Sequence, residues 1–322
     1  MKSPVFLFSL PRSGSTLLQK VLMSHHDIAS AAEPWIMLPH LYACNEEGLL
    51  AEYSHKISFT AVNEFITGLE HQKEDYFNAL GVFFSTLYEN QCSQNETFFL
   101  DKTPRYYNII PDIARVFPDA KFIFLFRNPI NVMSSMMHTW SDGNLKRLYA
   151  FERDLKQGPR LMSEGYDLLR NKSYAVQYED YVSNPEKYTK EICEYLEIEY
   201  DQTMLEVFSQ QNTTGSINIG DSTGEQKFIS DKSLNKWRNT FNTGFRKKIA
   251  YKYVMGIKGS VLEVQGYNKK EILKDIEELK ITRKYFFKDR LDYVYSLLVR
   301  YLKLNLFFGK NQNIWARNRF LS

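Results

Sequence analysis

"VFLFSLPRSGSTLLQKVL", residues 5–22, decides how the rest of the chain reads. An apolar run ends at Leu10, a Pro-Arg-Ser-Gly-Ser-Thr turn follows, and apolar residues then recur at helical spacing. A buried strand that passes through a small hydroxyl-rich turn into a helix is the common way to hold an anion, most often a phosphate, on backbone N–H groups. The turn is not the nucleotide loop G-x-x-x-x-G-K-[ST]. Ser9 stands at the first glycine position, and no lysine precedes the hydroxyl pair. The charge comes instead from Arg12, whose planar fork suits bidentate contact with phosphate oxygens. Ser13, Ser15 and Thr16 add hydroxyl donors, and Gly14 lets the backbone approach closely. The alternative is a plain strand-to-helix turn with Ser13 as its N-cap.

Outward from this turn, apolar runs without alternation at 4–9, 97–100, 121–126 and 174–178 read as buried strands of a parallel sheet. Helical patterns lie between and beside them at 14–24, 57–68, 74–90, 105–117 and 145–170. The order predicts an α/β fold, a P-loop-like doubly wound parallel sheet flanked by helices, with ligands at the carboxyl ends of the strands. Residues 211–235 are polar and aperiodic, a long loop of the functional kind.

A second strand, turn and helix stands at 121–140, "KFIFLFRNPINVMSSMMHTW". Arg127 ends the strand, Pro129 takes the first helical position, and Ser135 follows about two turns in. A strand-end arginine with a serine can hold a second phosphate. The alternative is an arginine capping a neighbouring helix beside a solvated serine.

The 322 residues carry 43 % hydrophobic and 25 % charged residues, the balance of a globular protein. Three cysteines, Cys44, Cys92 and Cys193, are too few and scattered for a disulfide framework or a zinc site, and point to a reducing, cytoplasmic setting. No metal motif is visible, and His25 and His26 read as surface residues without a role. The first apolar segment is too short for a signal peptide, and no apolar run approaches the roughly 18 residues needed to span a bilayer. Charge is uneven: from Lys280 onward ten Lys and Arg face two acids, giving +8, against −5 for the remainder. We therefore expect a main domain over 1–265 and a basic, aromatic helical extension over 266–322. In that extension Phe287, Leu291, Val294, Leu298 and Tyr301 recur at helical spacing among Lys288, Arg290, Arg300 and Lys303. Such a helix either lies on an anionic membrane, at the inner face, or packs on the protein's own core or a second subunit in a homodimer. No nucleic-acid module accompanies the charge.

Residues 5–22 together with 121–138 resemble the sulfotransferases that use 3′-phosphoadenosine 5′-phosphosulfate (PAPS), and most of all the branch that holds the tyrosylprotein, bacterial and carbohydrate enzymes. The similarity runs over about 4–240 and includes "VQYEDYVSNPEKYTKEICEYLEIEY" (176–200 with its preceding strand) and the late "KFISDKSLNKW". The resemblance implies that Arg12, Ser13, Gly14, Ser15 and Thr16 bind the 5′-phosphosulfate, and that Arg127 and Ser135 bind the 3′-phosphate. It further implies Glu33 as the base that takes the acceptor's proton, and Lys102 as a cation beside the transferred group. Lys227, with Ser222 and Thr223, would close over the nucleotide from the late loop. No metal is implied. The expected acceptor is a hydroxyl on a saccharide or glycolipid, with a small metabolite or tyrosine as alternatives. For Glu33 the competing reading is a first-turn acid of a helix that starts at Pro34. A P-loop kinase-like phosphotransferase is the rival activity. The Y-E-D stretch, 178–180, is read as bracing the fold.

Overall fold

Five segments form one wholly parallel sheet: β1 (Ser3–Ser9), β2 (Ile28–Ser30), β3 (Phe98–Asp101), β4 (Lys121–Phe126) and β5 (Ser173–Gln177). Their order across the sheet is β2-β3-β1-β4-β5. A computed structural model describes residues 3–92, 96–211, 229–281 and 287–304. The central strands are buried on both faces, which explains why their sequences lack alternation. Phe6 and Phe8 share one face of β1 and meet Phe122 and Phe124 of β4, with ring centroids 5.2–6.1 Å apart. Phe117 and Tyr88 close over Phe6. The sheet core is therefore an aromatic stack, as expected where side chains of neighbouring parallel strands alternate in register.

The predicted doubly wound sheet is the observed one, with three differences of detail. β2 is an additional strand of three residues, too short to stand out as an apolar run, and it forms because it pairs with β3 through Ile28↔Phe98 to Ser30↔Leu100. The expected helix at 105–117 is a 3-10 turn, Pro104–Asn108, followed by Ile110–Val116, since Pro104 and Pro111 each restart the ladder. The expected helix at 145–170 is broken into Leu148–Ala150, Glu152–Lys156 and Gly158–Leu169, with Pro159 removing a ladder donor.

The described residues group into two units that alternate along the chain. The first holds the sheet and comprises Met1–Asn128, Arg160–Ser233 and Val264–Gly266. Its last, three-residue piece is tied to the end of β5: Gln177 Nε2 donates to the carbonyls of Gln265 (3.1 Å) and Gly266 (2.7 Å), and Gln265 donates to Ser163 Oγ. The second unit is helical and comprises Pro129–Pro159, Leu234–Glu263 and Tyr267–Ser322. Within it, the buried Thr240 hydroxyl bonds Ser134 Oγ (2.6 Å) and His138 Nε2 (2.9 Å), and Thr243 caps helix Gly244–Gly256 by accepting from the Arg246 N–H.

The aromatic stack generates a direct expectation. Phe8→Ala removes a fully buried ring that packs against three others, and should lower the unfolding free energy by about 3–5 kcal/mol. Urea denaturation followed by fluorescence checks it; a loss under about 1 kcal/mol would contradict this packing.

Candidate active site

Each of the five strands delivers a polar side chain within three residues of its carboxyl end: Arg12 after β1, Glu33 after β2, Lys102 after β3, Arg127 after β4 and Tyr178 after β5. The strand order reverses between β1 and β4, the place where open α/β sheets hold ligands.

The β1 turn leads to helix Ser15–Leu22, whose N-cap is Gly14, not Ser13. No side chain caps this helix start, and no acid lies in its first turn, so its dipole faces the sheet's carboxyl edge uncompensated by either. Gly14 is required twice over. Its φ of +95° is left-handed, and a Cβ there would stand 2.2 Å from the Tyr178 ring. Arg12 also has a left-handed φ of 68°, a strain on the order of 1 kcal/mol for a residue with a Cβ. The turn is held by Arg127, whose Nη1 donates to the Arg12 carbonyl at 2.9 Å. The Arg127 guanidinium lies 4.3 Å over the Tyr178 ring, and the Tyr178 hydroxyl bonds Ser233 Oγ. Tyr178 therefore braces the loop and its arginine together. Ser13 and Ser15 are buried, while Thr16 is half-buried with its hydroxyl turned toward Lys102.

Lys102 is the centre of a second cluster. Its Nζ donates to Glu33 Oε1 at 2.8 Å and to Thr16 Oγ1 at 3.3 Å. The lysine side chain is 3 % exposed and that of Glu33 20 %, so the pair is largely buried but reachable from the glutamate side. Glu33 Oε2 accepts from the Trp35 indole N–H at 3.2 Å. The Trp35 backbone N–H donates to Thr103 Oγ1, which itself donates to Asp101 Oδ1. The Glu33 loop is fixed from its other end by Gln19, which donates to Ser30 Oγ (2.8 Å) and to the Ala31 carbonyl (2.7 Å). The next helix is Met37–Tyr42, with no acid in its first turn, so Glu33 is not the dipole-stabilising acid of the competing reading.

Behind Lys102, the fully buried Asp101 accepts from Tyr88 (2.6 Å), Tyr106 (3.1 Å) and Thr103 (3.1 Å). Burial pushes its carboxyl up to about 6, against the opposing pull of those hydroxyl donors and of Lys102. Sequence reading had no signal for this network. It passed over Trp35 and Asp101, whose roles follow from contacts between residues far apart in the chain.

Other expectations fall elsewhere. Ser135 lies half-buried on helix Pro129–Ser141, in the second unit, and Pro129 opens that helix as expected. Ser222, Thr223 and Lys227 lie outside the described residues. His25 is not a surface residue. It is buried, with Nε2 bonded to the Glu199 carbonyl (2.8 Å) and Nδ1 accepting from the Asp27 N–H (3.1 Å). His25, His26 and Asp27 come close enough to share a metal ion, but both ring nitrogens of His25 are already engaged.

Comparison with known proteins bears on this geometry. A family model described as "Sulfotransferase family" matches residues 4–202. Nodulation protein NoeE of Sinorhizobium fredii is 32 % identical over 136 residues, which are 42 % of this chain and 31 % of that protein. A putative protein-tyrosine sulfotransferase of Caenorhabditis briggsae is 21 % identical over 253 residues, covering 76 % of this chain and 84 % of that one. The match spans about three tenths of the length of NoeE and of a relative from Aquifex aeolicus. Among solved structures, the sulfotransferase domain from the curacin biosynthetic pathway shares the fold, with a TM-score of 0.52 and 19 % identity over 74 % of this chain and 92 % of that one.

The raised Asp101 carboxyl makes stability depend on pH in a defined direction. The folded chain keeps this proton up to about pH 6, whereas the unfolded chain releases it near its ordinary value of 3.8. The contribution is full below 3.8, falls as pH rises toward 6, and is flat above. The stability of the wild type relative to Asp101→Asn should therefore decline, by on the order of 2–3 kcal/mol, between about pH 4 and pH 7. Denaturant titrations of both proteins across that range measure it; a difference that grows with pH would refute the protonated carboxyl.

Proposed function

Because this chain belongs to the sulfotransferase family, we propose that it is a PAPS-dependent enzyme that transfers a sulfuryl group to an acceptor hydroxyl. The observation that carries this reading is Lys102, one buried cation in contact with both the candidate base Glu33 and the anion-binding turn at Thr16. The residues fit the donor. An uncapped helix start, a left-handed glycine that leaves the turn's backbone bare, and Arg12 are proposed to form a socket for a phosphate-linked anion. Arg127 and Ser135, eight residues apart, are proposed to take the 3′-phosphate, and Ser222, Thr223 and Lys227 to grip the nucleotide.

The donor, when bound, supplies an activated sulfuryl group. Glu33 would take the proton of the acceptor hydroxyl as that oxygen attacks, and Lys102, Arg12 and the helix start would hold the donor's phosphate and stabilise the negative charge left on it. Lys102 stands at the right place for two successive partners. It orients the carboxylate first, and its contact with Thr16 leads it toward the phosphate as charge grows there. Trp35 holds the second carboxylate oxygen, so the base cannot rotate away.

The acceptor we propose is a saccharide or glycolipid hydroxyl. The half-exposed Trp35 indole beside the base offers a flat apolar surface of the kind that receives the C–H face of a sugar ring. A tyrosine phenol is the second reading, favoured by the relatives named as protein-tyrosine sulfotransferases.

The test is a transfer assay with labelled PAPS against saccharides, glycolipids, phenols and tyrosine peptides, paired with calorimetry of adenosine 3′,5′-bisphosphate. Glu33→Gln should lose roughly 10²–10⁴ in rate while still binding the bisphosphate. Arg12→Ala and Arg127→Ala should weaken that binding. Transfer by Glu33→Gln at the wild-type rate, or no uptake of the bisphosphate, would overturn the proposal.

A further inference from the structure

The helix Phe287–Tyr301 is built the wrong way round for a helix that serves only to pack on its own protein. Its buried positions are Asp289, Asp292, Ser296 and Val299. Asp289 receives both Nε and Nη2 of Arg246, at 2.9 and 2.7 Å, and Ser296 Oγ accepts from the Tyr149 N–H at 2.9 Å. Arg300 pairs with Glu152. The apolar stripe points outward instead: Phe287, Leu291, Val294, Leu298 and Tyr301 are between 52 and 83 % exposed, with Tyr295 and Leu302 beside them. An amphipathic helix ordinarily does the reverse, and an apolar stripe of this length on a surface marks an interaction site.

Charge identifies the occupant. Both acids of the helix face inward, so its outer half carries cations only. At 100° per residue, Lys288 and Arg290 fall on opposite rims of the apolar stripe, where long basic side chains can reach past an apolar surface to anionic groups. A second protein surface would need acids set at both rims of an apolar groove. An anionic bilayer meets the pattern everywhere, with its acyl region for the stripe and its headgroups for the rims. We propose that this helix docks in the plane of an anionic lipid surface, apolar face inward, and so holds the enzyme at a membrane. The inference is independent of the reaction chemistry, and its readout is binding.

The experiment is flotation of the full chain with phosphatidylcholine vesicles made with and without phosphatidylserine. Binding is expected only with the anionic lipid, and raised salt should weaken it. Leu291→Ser/Leu298→Ser should bind roughly tenfold more weakly or worse, as should Lys288→Gln/Arg290→Gln. Leu291 and Leu298 are exposed, so the thermal midpoint of the leucine variant should match the wild type and separate lost docking from lost folding. Absence of wild-type binding, or wild-type binding by both variants, overturns the proposal. So does a concentration-dependent dimer in sedimentation that the leucine variant abolishes without any vesicle binding, because a second copy would then cover the stripe.

Discussion

An ammonium group with almost no access to water must find acceptors, and the arrangement of the site follows from where Lys102 finds them. Burying a charge without a partner costs several kcal/mol, whereas a paired and hydrogen-bonded one is tolerated. Two contacts, to Glu33 and to Thr16, draw together the segments after β2 and β1 around a residue at the end of β3. The neighbouring Asp101 points to the opposite face of the strand end, into a set of tyrosine and threonine hydroxyls. Adjacent residues thus serve opposite sides of one wall. One faces Glu33 and Thr16, and the other ties the wall to the core and, through Thr103, to the backbone of Trp35.

The anion turn has its own anchor. A guanidinium stacked on a tyrosine ring pins the Arg12 carbonyl, and the same ring fills the space that any side chain at position 14 would need. Two left-handed non-glycine residues, Arg12 and Trp35, flank the candidate chemistry. Their strain is held in place by the Arg127 and Thr103 contacts, which is how a site keeps donors aimed before substrate arrives.

Much of this was readable in the chain. The strands β1, β3, β4 and β5 announced themselves as unbroken apolar runs, and Arg12, Lys102 and Arg127 were legible as charges at strand ends. β2 was not, because three residues carry no period and its pairing partner lies some seventy positions away. The Y-E-D stretch was legible as a brace, but the contact of Tyr178 with Gly14 was not, since it joins two strand ends across the sheet. His25 was misread as exposed because its burial depends on the Glu199 carbonyl, which nothing local to residues 24–27 foretells. The outward stripe of Phe287–Tyr301 was visible as a period, yet periodicity reports only that two faces differ. Which face turns inward was decided by Arg246 and Tyr149, which satisfy the polar groups of Asp289 and Ser296 that would otherwise be buried alone.

The alternation of the two units along the chain sets an order of events during synthesis. The sheet-bearing unit begins at the amino end, yet its final piece, Val264–Gly266, emerges only after two of the helical unit's three segments have been made. Until then Gln177, at the end of β5, lacks the carbonyls it bonds in the finished protein. Neither unit can therefore be completed on the ribosome while the other waits untranslated. A nascent chain halted before residue 264 leaves the edge strand's terminus untethered, one residue before the tyrosine that braces the anion turn, and so couples maturation of the candidate site to synthesis of a segment some ninety residues downstream.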